Sequence, residues 1–319
     1  MRETPPVPGA RRSAFRTVAA EAWTRDWIVR AASRSRPPLE SVVVETSFGP
    51  THLLRSPEAA SGRDVVCFPG WGTNCAFWCV AGDIGPLAEA RRVWIADVPG
   101  QPGLSAGWAP TYGPDGYGRW IEELLDALSL TTTGLMGASL GGLLALQGAA
   151  RLGARVDKAV LLAPAGFVRP ALSLSGMWVM LRHQLRPTVH TTARFLRACV
   201  LGPHQDVEAG ALAELEAVLL NSARGFRNRS RIPPVLPDTQ LAAPSAAIAL
   251  IVGEDDPVFS STRTVARGRR VLSSDVTVEV LAKHGHGIEL SRQAMIVAAS
   301  FLEAEGAAAD ERFAPSEVR

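Results

Sequence analysis

Beyond Pro37-Pro38 the chain alternates between two textures of hydrophobic and polar residue. Short β-branched or continuous apolar runs occupy 41–47, 51–55, 65–68, 92–97, 133–138, 156–163, 246–252 and 276–281. Bounded as they are by Gly, Pro, Asn or Asp, such runs predict strands. The first two, joined by Phe48-Gly49-Pro50, predict an antiparallel hairpin. Helical spacing is found at about 75–89, 115–128, 140–152, 261–272 and 288–304. Strands alternating with helices need crossover connections, so the pattern predicts an α/β fold: a mainly parallel central sheet with helices on both faces.

The alternation stops between about 167 and 240, where the pattern is helical and punctuated by Pro170, Pro187, Pro203 and Pro233-Pro234. Strands on both sides of this stretch are needed to finish one sheet. The economical reading is a discontinuous core, 40–166 and 241–304, interrupted by a helical cap insertion at 167–240. A proline-rich leader and an amphipathic helix at about 13–33, with Phe15, Val18, Ala22 and Trp23 at helical spacing, precede it within 1–39. The tail, 305–319, reads as disordered, and the chain shows no internal repeat.

Composition narrows the function classes. At 319 residues, 47% hydrophobic and 20% charged, the chain can bury a sizeable core. No apolar run approaches the ~18 to 20 residues of a membrane-spanning helix, so integral membrane association is not expected. The formal net charge of +2 gives no strong field, so nucleic acid is not expected as a partner. Lys158 and Lys283 are the only lysines among 33 basic residues, a bias that makes any single arginine a weak signal. Cys67, Cys75, Cys79 and Cys199 are too few and too irregular for a disulfide framework or a zinc site, and read as buried thiols. Nothing in the sequence points to a cofactor. The N-terminal region lacks the uninterrupted apolar stretch of a signal peptide, and a cytoplasmic location is the default expectation.

The segment Gly137-Ala138-Ser139-Leu140-Gly141 changes the picture. It is strand-like on its left and helix-like on its right. A serine on so sharp a strand-to-helix turn requires small residues two before and two after it, which Gly137 and Gly141 supply. The serine oxygen then stands above the sheet edge, and the helix behind it offers backbone N–H groups to a developing oxyanion.

Hairpin, alternating units, Gly-Ala-Ser-Leu-Gly-Gly elbow, helical insertion and final strands together resemble the α/β-hydrolase superfamily, in its serine carboxylesterase-like form with a helical cap. The resemblance covers about residues 40 to 304. It implies Ser139 as nucleophile, followed in chain order by an acid and a histidine. His284 and His286 are the histidines after the resumed sheet. The family's Gly-His step after the last strand matches Gly285-His286 and favours His286 as base, with His284 as the alternative. For the acid, Glu254, Asp255 and Asp256 follow Gly253, and similar sequences carry it three residues past the glycine, at Asp256. Ala163-Pro164-Ala165-Gly166, the other position used by relatives, has no carboxylate. The oxyanion donors implied are the N–H groups of Leu140 and of Trp71 in Phe68-Pro69-Gly70-Trp71-Gly72. That loop resembles the family's His-Gly-x-Gly except that proline stands at position 69. Asp97, in a loop resembling Asp-x-x-Gly-x-Gly-x-Ser with one extra residue, is assigned a structural role.

A cap in this position sets specificity. It holds nine arginines against five carboxylates, and Arg224, Arg227, Arg229 and Arg231 either bind an anionic or carrier-bound acyl substrate or form a solvated face. Phe167, Leu172, Leu174, Met177, Trp178 and Met180 either line a pocket or seat the cap. Hydrolysis of a carboxylic ester or thioester of a small to medium acyl substrate is the function this implies. The same triad serves carbon–carbon bond hydrolysis, acyl transfer or cofactor-free perhydrolysis. A non-catalytic ligand-binding protein of the same fold is the third reading.

Overall fold

A computed structural model of the chain describes residues 14–80, 83–205, 207–228, 230–272 and 276–304. The leader at 1–12, the tail from 305 and Arg229 lie outside the described residues. Among the described residues eight strands form one sheet in the order β1-β2-β4-β3-β5-β6-β7-β8. They are β1 (Glu40–Thr46), β2 (Gly49–Arg55), β3 (Asp64–Phe68), β4 (Arg92–Ala96), β5 (Thr133–Ala138), β6 (Val156–Leu162), β7 (Ala247–Gly253) and β8 (Thr277–Leu281). β2 alone runs against its neighbours, and every pairing from β4 to β8 is parallel. The hairpin turn is tighter than the sequence predicts. Thr46 pairs with Gly49, leaving Ser47-Phe48 as a two-residue loop.

Among the described residues ten α-helices accompany the sheet: α1 (Val18–Arg34), α2 (Gly85–Ala90), α3 (Arg119–Ala127), α4 (Leu140–Leu152), α5 (Leu174–Leu185), α6 (Val189–Phe195), α7 (Ala209–Gly225), α8 (Asp238–Leu241), α9 (Ser261–Val271) and α10 (Arg292–Glu303). The alternation of side chains along the strands divides the core in two. Val65 and Cys67 of β3 face the layer that holds Trp27 and Ile28 of α1, Leu87 of α2 and Met295 of α10. Val66 and Phe68 face Trp120 and Leu124 of α3, Leu143 of α4 and Val265 of α9.

Four predicted helices differ in detail; the one expected at 288–304 is a 3₁₀ turn, Ile288–Leu290, followed by α10 with Ser291 as its cap. The one expected at 75–89 is a 3₁₀ turn, Cys75–Cys79, followed after a break by α2, where Pro86 occupies the helix start that suits its missing N–H. The helix expected at 115–128 opens with an irregular π-type turn, Pro114–Gly118, because Gly116 adopts non-helical angles, at a position where a methyl group would run into the Thr111 carbonyl. The one expected from 13 starts later, at Val18, with Thr17 capping it.

The insertion consists of α5, α6, a π-type segment Leu196–Leu201, α7 and a non-helical return over 226–228 and 230–237. α1 grips it from the N-terminal side. Asn221 donates to Thr24 Oγ1 at 2.9 Å, Arg34 pairs with Glu214 at 2.7 Å, and Phe15 bridges to Phe226. Phe167 is buried and seats the loop after β6, but Leu174, Met177 and Trp178 face outward and are exposed. They neither line an internal pocket nor seat the cap.

Candidate active site

The residues of interest gather where the parallel strands end, the usual position for ligands in open α/β sheets. Ser139 follows β5 directly and has φ 52° and ψ −111°, a strained conformation that persists only when its surroundings over-determine it. Its N–H donates to Leu162 O at 2.9 Å, and its carbonyl accepts from Ala165 N–H at 2.9 Å and Gly142 N–H at 3.1 Å. A methyl group on Gly137 would run into the backbone of Gly141, and one on Gly141 into the Phe68 carbonyl. The two glycines therefore let the turn pack against the end of β3.

The other two members of the line come from loops locked to each other. Asp256 follows β7, and its Oδ1 accepts from Val258 N–H at 2.7 Å and Phe259 N–H at 2.9 Å. That leaves Oδ2 for His286 Nδ1, at 2.9 Å. His286 Nε2 then lies 2.9 Å from Ser139 Oγ. Phe259 meets the imidazole edge-on, with ring centroids 5.2 Å apart. Burial alone lowers the His286 pKa, but attraction to and hydrogen bonding with Asp256, helped by attraction to Glu289, outweigh it and leave the pKa raised above the ordinary histidine value. His284 is engaged elsewhere: its ring bonds Ala282 O at 2.8 Å and Ser291 Oγ at 2.7 Å. Neither Glu254 nor Asp255 reaches the imidazole. Their backbone N–H groups tie this loop to Leu281 O and His284 O, both at 2.9 Å.

Leu140 is the first residue of α4, one of the N–H groups that a helix leaves without an internal partner. The Trp71 loop lies alongside, since a methyl on Gly70 would stand 3.7 Å from the Ser139 β-carbon. With proline at 69, other residues hold this loop. Thr73 Oγ1 donates to Gly70 O at 2.7 Å, and Gly72 N–H donates to Gln101 Oε1 at 2.8 Å. Ser230 on the cap's return segment completes the tie. Its hydroxyl accepts from Trp71 Nε1 and Gln101 Nε2, each at 2.9 Å, and donates to Asn228 Oδ1 at 2.6 Å. Two acceptances and one donation use the full capacity of a hydroxyl.

Four contributors were missed in the sequence. Gln101 lies between the two glycines of the Asp97 loop, where this chain has one residue more than the resembled pattern, and that length departure was its signal. Gln205 accepts from Gly285 N–H and donates to Gly287 O, both at 3.0 Å, clamping the loop on either side of His286 from the cap. No local signal at Gln205 or Ser230 announces such distant partners. Glu289 lies 5% exposed, with Oε2 unbonded among the described residues, and burial pushes its pKa up to about 7. Its signal was a carboxylate in the otherwise apolar Gly287-Ile288-Glu289-Leu290, immediately after Gly-His.

Asp97 is fully buried and has the placement of a structural residue. It accepts from Cys75 N–H, Leu104 N–H and His52 Nδ1, each at 2.8 Å. His52, Cys75 and Asp97 are close enough together to be considered as metal ligands. Their donors are already committed. His52 Nδ1 is bonded to Asp97 and Nε2 to Ser41 Oγ at 3.1 Å, and burial holds the Cys75 thiol far above its ordinary pKa, so a thiolate ligand is disfavoured.

A sheet in which only the second strand runs antiparallel, with its functional residues at the carboxyl ends of the others, is the architecture of the α/β hydrolases. The chain belongs to the alpha/beta hydrolase family, whose model matches residues 65–299. It is 25% identical over 294 residues to carboxylesterase YbfK of Bacillus subtilis (strain 168), covering 86% of this chain and 91% of that one. It is 38% identical over 87 residues to a pimeloyl-[acyl-carrier protein] methyl ester esterase of Aeromonas hydrophila, covering 27% of this chain and 32% of that one. The solved naproxen esterase (carboxylesterase NP) of Bacillus subtilis superposes with a TM-score of 0.73 at 20% identity, over 89% of this chain and 96% of the other.

Proposed function

We propose that this hydrolase cleaves carboxylic esters through an acyl-enzyme formed on Ser139. The observation that carries the reading is the continuous line Ser139 Oγ–His286 Nε2, His286 Nδ1–Asp256 Oδ2, with both links at 2.9 Å. A neutral hydroxyl needs such a base, and the base needs an orienting acid. As Oγ attacks the carbonyl carbon, its proton passes to His286 Nε2. Asp256 and Glu289 stabilise the imidazolium that forms. The negative charge on the carbonyl oxygen develops toward the N–H groups of Leu140 and Trp71. Collapse breaks the ester bond, and His286 returns the proton to the departing alkoxide. Water, deprotonated by the same imidazole, then releases the acid and frees Ser139.

Two related carboxylesterases of Bacillus subtilis, matched over most of their length, support the ester as the scissile group. The test is a panel of esters, thioesters and lactones of graded acyl length. Ester turnover should fall by roughly 10³ to 10⁶-fold in Ser139→Ala and in His286→Ala. Ester hydrolysis that survives both substitutions would overturn the reading.

A carrier-bound acyl group is a second reading. Arg227 and Arg231 are exposed on the return segment, where Tyr112 OH holds Arg231 O at 2.7 Å, and one relative, matched over part of its length, is a pimeloyl-[acyl-carrier protein] methyl ester esterase. Arg224 is used otherwise, donating to Pro187 O at 2.8 Å. Equal kcat/KM for a carrier-linked and a free methyl ester of one acyl group would remove this reading.

A further inference from the structure

Helix α5 turns Gly176 and His183 inward, both buried, with Val179 and Met180 half-buried on the same side. Leu174, Met177, Trp178, Leu181 and Leu185, at helical spacing, form a stripe along the other side and are 82%, 48%, 58%, 43% and 71% exposed. Val189, at the start of α6, continues the stripe. A contiguous exposed apolar stripe rimmed by polar groups marks an interaction surface.

Charge identifies what covers it. Residues 167–205 contain Arg169, Arg182, Arg186, Arg194 and Arg197 and no aspartate or glutamate. None of these five guanidinium groups pairs with a carboxylate among the described residues, although eleven arginines elsewhere do. Arg182 lies over the Trp178 ring at 6.0 Å. Arg169 opens onto a recess of about 660 Å³ that is also lined by Arg263, Arg267 and Arg270. Of these, Arg267 and Arg270 share Asp238. The near-neutral chain therefore carries a local excess of positive charge beside an apolar stripe. Two copies meeting about a twofold axis would press each arginine rim against its own equivalent, and like charges oppose that contact.

We infer that α5 and its arginine rim dock the protein on an anionic lipid–water interface. The acyl boundary accepts the leucines, Met177 and Trp178, and the headgroup phosphates accept the guanidinium groups. Trp178 beside Arg182 suits the boundary itself, where one end of a side chain is dry and the other wet. The stripe also begins next to the candidate site, because the loop entering α5 is pinned by Ala171 N–H to Val258 O at 2.8 Å, two residues past Asp256. Docking would present lipophilic esters to the Ser139 end of the sheet. The docking itself does not depend on the catalytic reading, since it is measured by binding.

The test is co-flotation with vesicles of phosphatidylcholine alone and of phosphatidylcholine with phosphatidylglycerol. The full chain should bind the phosphatidylglycerol vesicles at least ~10-fold better, and added salt should weaken the binding. Two variants, Leu174→Ser/Trp178→Ser/Leu185→Ser and Arg182→Glu/Arg186→Glu, should each lose about tenfold while keeping the wild-type circular dichroism. Failure of the wild type to float with anionic vesicles, or flotation unchanged in both variants, would overturn the proposal. So would a concentration-dependent dimer in sedimentation velocity that the serine variant dissolves, because the face would then belong to a second copy.

Discussion

Glu289 shows how a side chain outside the Ser139–His286–Asp256 line reaches into it. A carboxyl 5% exposed and pushed up to about 7 binds its proton more tightly folded than unfolded. Its contribution to stability is therefore fully present below the ordinary glutamate pKa and is lost as pH rises through about 7. Glu289→Gln removes that loss. The variant should gain on the order of 2 kcal/mol over the wild type between pH 5 and pH 8, read from denaturant unfolding at both values. An identical difference at both would contradict the assignment. Activity moves the other way with pH. In the proposed mechanism His286 serves as base only when neutral, and its raised pKa predicts that kcat/KM falls as pH drops through a midpoint above the ordinary histidine value. Because Glu289 attracts the imidazolium, Glu289→Gln should move that midpoint lower, a shift that a purely structural role would not produce.

Between elements, the two loops around Trp71 and Gln101 behave as one piece with the cap's return segment. Gln101, 2% exposed, bonds Gly72 N–H and Ser230 at once. Displacing an oxyanion donor by a fraction of an ångström affects the transition state more than substrate binding. Gln101→Ala should therefore lower kcat by ~10 to 100-fold with KM changed less than about threefold; a change confined to KM would contradict the positioning role. Much at this scale was legible in advance. Strands 65–68 and 133–138 read correctly because continuous apolar runs bounded by turn residues have few alternatives, and Gly137-x-Ser139-x-Gly141 announced a turn that only small neighbours permit. The break before Pro86 and the irregular turn at Gly116 escaped a spacing argument, which sees periodicity but not the single residue that interrupts it. Which way α5 faces escaped for another reason. With apolar residues on both sides, its pattern does not say which side is inward.

For the whole molecule, the N-terminal helix is part of the framework that holds the cap. Trp27, 3% exposed, lies in the same buried layer as Leu215 and Leu219 of α7 and Met295 of α10, and stacks on Trp23 at 6.4 Å. Trp27→Ala should cost about 3–5 kcal/mol, the range for emptying a buried aromatic site, as measured by denaturant unfolding. A cost below ~1 kcal/mol would mean that α1 is an appendage instead. The sequence predicted this helix from its spacing but not its partners, because contacts such as Asn221 with Thr24 join residues nearly two hundred positions apart.

The central claim is that Ser139 is a nucleophile activated by His286, and covalent labelling tests it most directly. Wild-type protein treated with a fluorophosphonate should gain one adduct, mapped by peptide mass spectrometry to Ser139, and Ser139→Ala should gain none. An adduct that persists in Ser139→Ala, or a folded wild type that takes up no label, would contradict it.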